Sequence, residues 1–251
     1  MFKICHFLIL AVMSLTATAL TAGFASSVHA DVKDADVKDS DKAAFEAIIR
    51  DYIIANPELL RDALMDLAKR EDMARQALAM KMLFDDAGDP AMGNPDGGLV
   101  IYEFSDYNCG YCKRVFEPIQ QILRDDDDIR LVVKEFPILS QSSLVAAQAA
   151  VAAEKQGKFA GFHINMMTYR GKITTKSIMD AAEQAGIDIA QLKTDMAGSA
   201  VESIITRTRQ AAEALQLTGT PALVIGDTIV RGAVDIDEFR RLIAAERAKQ
   251  G

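Results

Sequence analysis

Two cysteines three positions apart, in the run Cys109-Gly110-Tyr111-Cys112, are the residues of this 251-residue chain best placed to do chemistry. An apolar run, 99–104, leads into a short turn, and a helical pattern begins at the first cysteine. Cysteines spaced in this way at a helix start share one face, and only the first lies at the open end. There Cys109 meets the positive end of the helix dipole and unpaired backbone N–H groups, which favour thiolate over thiol. Cys112, one turn in, is shielded and within reach of a mixed disulfide formed on Cys109. The chemistry expected is that of a dithiol redox centre closing a Cys109–Cys112 disulfide.

Other chemistries fit less well. Cys-x-x-Cys pairs also bind zinc, but the two thiols and one histidine that lie outside the first 30 residues fall short of a four-ligand site. Two thiolates suit Cu(I), a soft ion, so a copper-binding reading of Cys109 and Cys112 stays open. Of the 11 methionines, Met80, Met82, Met166 and Met167 read as helix core positions rather than as ligands. A Ser-His-Asp hydrolase would need His163, which falls in an amphipathic helical stretch with no nucleophile-elbow motif near it. Phosphate-binding glycine loops are absent, and a net charge of −8 with no basic patch argues against nucleic acid as a partner. No cofactor is implied.

Glu103 stands six residues before Cys109 on a strand expected to be buried. A buried carboxyl has a raised pKa and could take the proton that Cys112 must lose. The other reading pairs Glu103 with Lys134 from the neighbouring strand.

The elements that must hold these residues follow from the apolar pattern. Strands are expected at 99–105 and 129–136, with a helix over 110–124 between them. That strand–helix–strand order implies a parallel, right-handed crossover. Pro118 falls inside the helix, where proline ordinarily kinks the backbone. The four carboxylates Asp125 to Asp128 are expected as a solvated turn that stops it. Helices are expected at 142–156, 159–168, 174–184, 189–196 and 199–215. Two short strands, 222–225 and 228–231, follow Thr220-Pro221 and are joined by Gly226-Asp227, a good hairpin turn; a last helix runs from 235 to about 248. The fold class is α/β: a mixed central sheet with helices on both faces and a helical insertion at about 139–217.

Residues 1–30 read as a secretory signal, with Lys3 as the positive region, an apolar run over 7–22 and small residues at Val28-His29-Ala30 for cleavage near Ala30. An uncleaved membrane anchor is the alternative, but Thr16, Thr18 and Thr21 dilute the run. Cleavage removes Cys5, His6 and His29, leaving Cys109 and Cys112 as the only thiols and His163 as the only histidine. Losing Lys3 takes the charge from −8 to −9. An exported chain with one cysteine pair has no structural disulfide framework, so the pair is there for chemistry or metal.

Residues 31–41 are polar and charged, a disordered leader by composition. A helical arm follows over 42–84, with Phe45, Ile48, Ile49, Tyr52 and Ile53 on one stripe, a break at Asn56-Pro57, and a longer run carrying Leu60, Leu64, Leu67, Ala74 and Leu78. Such stripes either cap the main domain or pack against copies of themselves as an oligomerisation arm. Residues 85–98, with four glycines and two prolines, read as a linker to the main domain at 99–251.

The β-α-β, helices, β-β-α order, with Cys-x-x-Cys opening the first helix and Thr220-Pro221 before the third strand, resembles the thioredoxin fold, and the insertion narrows the likeness to its DsbA-like branch. The arm, with Tyr52 and Asn56-Pro57-Glu58, is similar to that of the suppressor-of-copper-sensitivity protein C (ScsC) group, exported proteins of which some are trimers. The resemblance implies a periplasmic thiol–disulfide oxidoreductase acting on secreted protein substrates, reset by a membrane redox partner and assembled as a homo-oligomer. It implies that Cys109 and Cys112 are catalytic, that Pro221 is a cis-proline beside them and that Thr220 offers backbone to an incoming peptide. It also matches Pro118 to the helix-kink proline and places a glutamate at the position of Glu103. Gly110 and Tyr111 stand where strongly oxidising members carry Pro-His. Loss of that imidazolium leans the expectation toward isomerase or reductase, with a monomeric oxidase as the alternative.

Overall fold

The structure, a computed structural model, describes residues 39–250, with side chains from 41 to 249. The signal segment, the cysteine at position 5 and most of the polar leader lie outside the described residues. The leader's last residues are helical, because α1 (Asp39–Ala55) begins at Asp39.

The chain divides into two units, residues up to Leu60 and Arg61–Gly251. The first holds α1 and the opening of α2 (Pro57–Phe84). Asn56 breaks the helical run: its side-chain Nδ2 donates to Tyr52 O at 2.8 Å, its carbonyl accepts from Leu59 N, and Pro57 opens the next helix. The stripe of α1 is uncovered: Phe45, Ile49 and Tyr52 are 61, 57 and 59% exposed.

The second unit is built on five strands in the order β1-β3-β2-β4-β5. These are β1 (Ala91–Gly93), β2 (Leu99–Ser105), β3 (Ile129–Glu135), β4 (Ala222–Ile225) and β5 (Thr228–Arg231). β2 and β3 run parallel, joined through α3 (Gly110–Asp125); the other pairs are antiparallel. Both central strands are buried along nearly their whole length, as their continuous apolar runs require. Between β3 and β4 lie α4 (Gln141–Lys155), α5 (Phe159–Thr168), α6 (Thr175–Gln184), α7 (Ile189–Met196) and α8 (Ser199–Ala214), and α9 (Ile236–Gln250) ends the fold.

Strand alternation divides the core. Ile101, Leu131, Val133, Leu223 and Ile225 face a large cluster with α3, α4, α5 and α6. Tyr102, Phe104, Val132 and Val224 face a smaller one with Ala79 and Leu83 of α2 and Ala211 and Leu215 at the end of α8.

Two expectations need correction. The 85–98 stretch is more than a linker: β1 pairs with β3 from Ala91 opposite Val132 to Gly93 opposite Arg130. Gly93 allows this at a positive φ of 80°, where a Cβ would strike Ile129 O at 2.4 Å. The run Asp125 to Asp128 stops α3 but is not merely solvated. Arg247 of α9 pairs with Asp126 and Asp128, and Arg240 with Asp125, so the carboxylates tie α9 to the end of α3.

Candidate functional site

Cys109 is the N-cap of α3 (φ −78°, ψ 114°), and its Sγ accepts from the Cys112 backbone N–H at 3.2 Å. It is 5% exposed, whereas Cys112 is fully buried; both are free thiols. Asp106 holds the loop leading to them. Its Oδ1 accepts from Asn108 N and Ser143 Oγ, its Oδ2 from Ile138 N and Leu139 N, and its carbonyl from Cys109 N, at 2.7–3.0 Å. Asn108 Nδ2 reaches the hydroxyls of Ser140, Ser142 and Ser143. The turn before α3 is thereby fastened to the start of α4, fixing where the Cys109 sulfur points.

On the other side, Cys109 Sγ donates to Thr220 O at 3.2 Å, beside the cis Thr220–Pro221 bond. The Cys112 thiol beside it, the Thr220 side chain and the N–H groups of Cys112 and Tyr111 outweigh burial and lower the Cys109 thiol from an ordinary 9.0 to about 6. Cys112 moves the other way: burial raises it well above its usual range, with the bond to Cys109 and the Glu103 charge adding. One sulfur is ready to attack at neutral pH; the other needs a base.

Glu103 lies on the same face of the sheet, 1% exposed, and burial pushes its carboxyl up to about 7, with the Cys109 charge adding. Its Oε1 has no hydrogen-bond partner. The alternative pairing with Lys134 does not occur. The register sets Glu103 opposite Val133 and Lys134 opposite Phe104, so Lys134 emerges on the far face and binds Asp89.

Gly110 is open, with nothing within 4 Å of where a Cβ would stand, and Tyr111 is exposed with the Arg114 guanidinium 4.6 Å from its ring centre. Tyr111, Arg114, Pro118, Thr220 and Val234 line a groove of about 680 Å³ with mostly apolar walls. Thr220 and Pro221 also line a smaller cavity of about 190 Å³ with Arg231. All seven residues singled out from the sequence therefore surround or underlie one pair of sulfurs. His163 is buried among Phe116, Phe159 and Tyr107 and hydrogen-bonded to Tyr107. Among the described residues no cluster of three or more His, Cys, Asp or Glu could hold a metal ion.

A DSBA-like thioredoxin domain model matches residues 100–244, more than half of the sequence. The chain belongs to the DsbA-like thioredoxin family. A second model, the copper resistance protein ScsC N-terminal domain, matches residues 41–72. A thioredoxin-like oxidoreductase from Silicibacter pomeroyi superposes with a TM-score of 0.64 at 36% identity, covering 68% of this chain and 97% of that one. The catalytic domain of Proteus mirabilis ScsC gives 0.63 at 32% identity, covering 69% and 98%. Among curated proteins, the Na(+)/H(+) antiporter NhaA 1 of Mycolicibacterium gilvum is 28% identical over 179 residues, 68% of this chain; the chain spans only 29% of that antiporter's length. No helix among the described residues is long and apolar enough to cross a membrane.

Sequence reasoning did not single out Asp106, Tyr107 or Glu135. For Glu135 the available signal was a carboxylate at an inward-facing position of a largely apolar strand, since such groups are costly to bury without a partner. Asp106 and Tyr107, in the polar loop after β2, offered none.

Proposed function

We propose that this DsbA-like chain is an exported, periplasmic thiol–disulfide oxidoreductase that works as an isomerase or reductase on secreted proteins. The observation that carries the reading is Cys109 Sγ at the start of α3, its thiol lowered to about 6 and 3.2 Å from Thr220 O. The Cys109 thiolate attacks a substrate disulfide, forming a mixed disulfide and releasing one substrate sulfur as thiolate. Thr220 and Pro221 seat the peptide strand-wise, with Gly110 leaving room and Tyr111 lining the groove. Cys112 then passes its proton to the Glu103 carboxylate and attacks Cys109, expelling the second substrate thiolate and closing the Cys109–Cys112 disulfide. In isomerisation a different substrate thiolate attacks the substrate sulfur of the mixed disulfide, forming a new substrate disulfide and releasing the Cys109 thiolate with no net electron transfer. A membrane redox partner resets the dithiol after net reduction.

The uncovered stripe of α1, together with the ScsC-type match over 41–72, supports a homo-oligomer, a trimer in the likeness of that group, with 42–84 as the assembly arm. Refolding of a scrambled-disulfide substrate tests the assignment: Cys109→Ser is expected to abolish it, and intact activity in that variant contradicts the reading.

Copper binding by the same two thiolates is the second reading, supported by the name of the matching N-terminal family. The site disfavours it as the main role, because Cys112 has no accessible surface to offer an incoming ion. Titration of the reduced chain with Cu(I) against a competing chelator separates the two; an affinity no better than that of a simple dithiol removes the copper role.

A further inference from the structure

Two carboxyl groups lie on the α3 side of the sheet. Glu103 is in β2 and Glu135 ends β3, and the parallel register, with Glu103 opposite Val133 and Ser105 opposite Glu135, puts both on one face, two steps apart on adjacent strands. Each is 1% exposed. Burial raises both, and the charges of Asp106 and then Glu103 push Glu135 up further. Two ionised carboxylates this close in a dry interior repel strongly, so one negative charge is favoured over two.

Their surroundings differ. Glu103 Oε1 has no partner. Glu135 Oε1 accepts from Tyr107 Oη at 2.9 Å, and that oxygen lies 2.9 Å from His163 Nδ1. Tyr107 and His163 are each 1% exposed. The chain of three satisfies two protonation states. With Glu135 ionised, Tyr107 donates to the carboxylate and His163 Nδ1–H donates to the phenol oxygen. With Glu135 protonated, its O–H donates to that oxygen and the phenol O–H turns to an unprotonated Nδ1. The two links, Glu135 to Tyr107 and Tyr107 to His163, each keep their hydrogen bond in either state.

We propose that Glu103 and Glu135 share one negative charge beneath the dithiol, and that Glu135 takes the charge over, through Tyr107 and His163, when Glu103 accepts the Cys112 proton. This rests on Cys112 being the resolving thiol. The proton balance is complete. The S–H bond of Cys112 breaks and an O–H bond forms on Glu103. Glu135 gives its proton to the Tyr107 oxygen, the phenol proton passes to His163 Nδ1, and the ring's Nε2 proton leaves for bulk water when the packing around His163 opens. The negative charge of Cys112 leaves with the substrate thiolate, and the Glu103–Glu135 pair again holds one charge, now stabilised by the Tyr107 hydrogen bond. Burial lowers His163 to about 3, so the imidazolium is only passed through. The titratable groups bearing on Glu135 are Tyr107 and Asp106 from the β2–α3 loop, Glu103 from β2, Asp89 from the segment before β1, and His163 of α5 through Tyr107. Glu135 and Tyr107 are thus positioning residues for proton traffic, not groups that touch substrate.

The test follows the resolution rate of a Cys109–glutathione mixed disulfide on the full chain against pH, from about 4 to about 8. The wild type is expected to show a rise broader than one proton, with two inflections. Glu135→Gln is expected to lose the second inflection, and Tyr107→Phe, which keeps the carboxyl but cuts the link to His163, is expected to lose it too. Superimposable curves for the wild type and both variants overturn the proposal, and Tyr107→Phe carries the comparison if Glu135→Gln does not fold. Glu103→Gln is the control for the underlying reading: an unchanged curve there removes Glu103 as the base, an outcome distinct from failure of Glu135 alone.

Discussion

Glu103 and Lys134 occupy neighbouring strands yet face opposite sides of the sheet, one beneath the dithiol without a cation and the other bound to Asp89. The separation leaves Glu103 with a carboxyl raised from 4.5 to about 7. Its unfolded-state pKa is the lower one, so the native state binds more protons between those values and stability falls as pH rises through the window. The cost is absent below about pH 4.5 and complete above about pH 7. A shift of that size corresponds to roughly 3 kcal/mol. Glu103→Gln is expected to flatten this part of the stability–pH curve and to stabilise the chain at neutral pH, measured by urea unfolding at several pH values. A curve that keeps the wild-type slope contradicts the assignment.

Lys134 makes the opposite prediction. Its side chain and that of Asp89 are 1 and 0% exposed, with Arg207 bonded to the same carboxylate oxygen at 3.2 Å. Removing one member of such a group leaves an uncompensated buried charge, at a cost of about 3–5 kcal/mol. Asp89→Ala is expected to destabilise by that order, and Lys134→Met together with Asp89→Ala by much less. Equal losses in the single and double variants would show that the pair is not the cause.

Much of this was legible beforehand. The helices of the insertion and the β4–β5 hairpin declare themselves by apolar periodicity, and Cys109-Gly110-Tyr111-Cys112 by its spacing. What stayed hidden was non-local. The pairing of Ala91 to Gly93 with β3 depends on thirty-odd residues of intervening chain and on glycines that read as linker. The partner of Lys134 depends on register, since a shift of one position would turn it toward Glu103. Glu135 was invisible because its role rests on Tyr107 and His163, which only the fold brings to it.

The arm supplies a third prediction. The exposed stripe of α1 is expected to be covered by other copies of the chain, so Ile49→Asp with Tyr52→Asp should reduce the solution mass by light scattering to that of a monomer. Substitution is the safer test here, because cutting within 85–98 would also strip β1 and Asp89 from the sheet. A monomeric wild type removes the assembly arm and the case for a multi-site isomerase.

The two cysteines are expected to fail differently. Cys112→Ser should accumulate a covalent adduct with protein substrates on Cys109, visible on a non-reducing gel, while Cys109→Ser forms none. Adducts on Cys112 in the latter variant would reverse the assigned order of attack.

Ionisation of Cys109 tests the account most directly. The thiolate absorbance of the reduced chain, followed against pH with Cys109→Ser subtracted, should titrate with a midpoint near 6. A midpoint at the ordinary 9.0 would mean that the start of α3 and Thr220 do not activate the sulfur, and the reading of this site as a disulfide-exchange centre would fall with it.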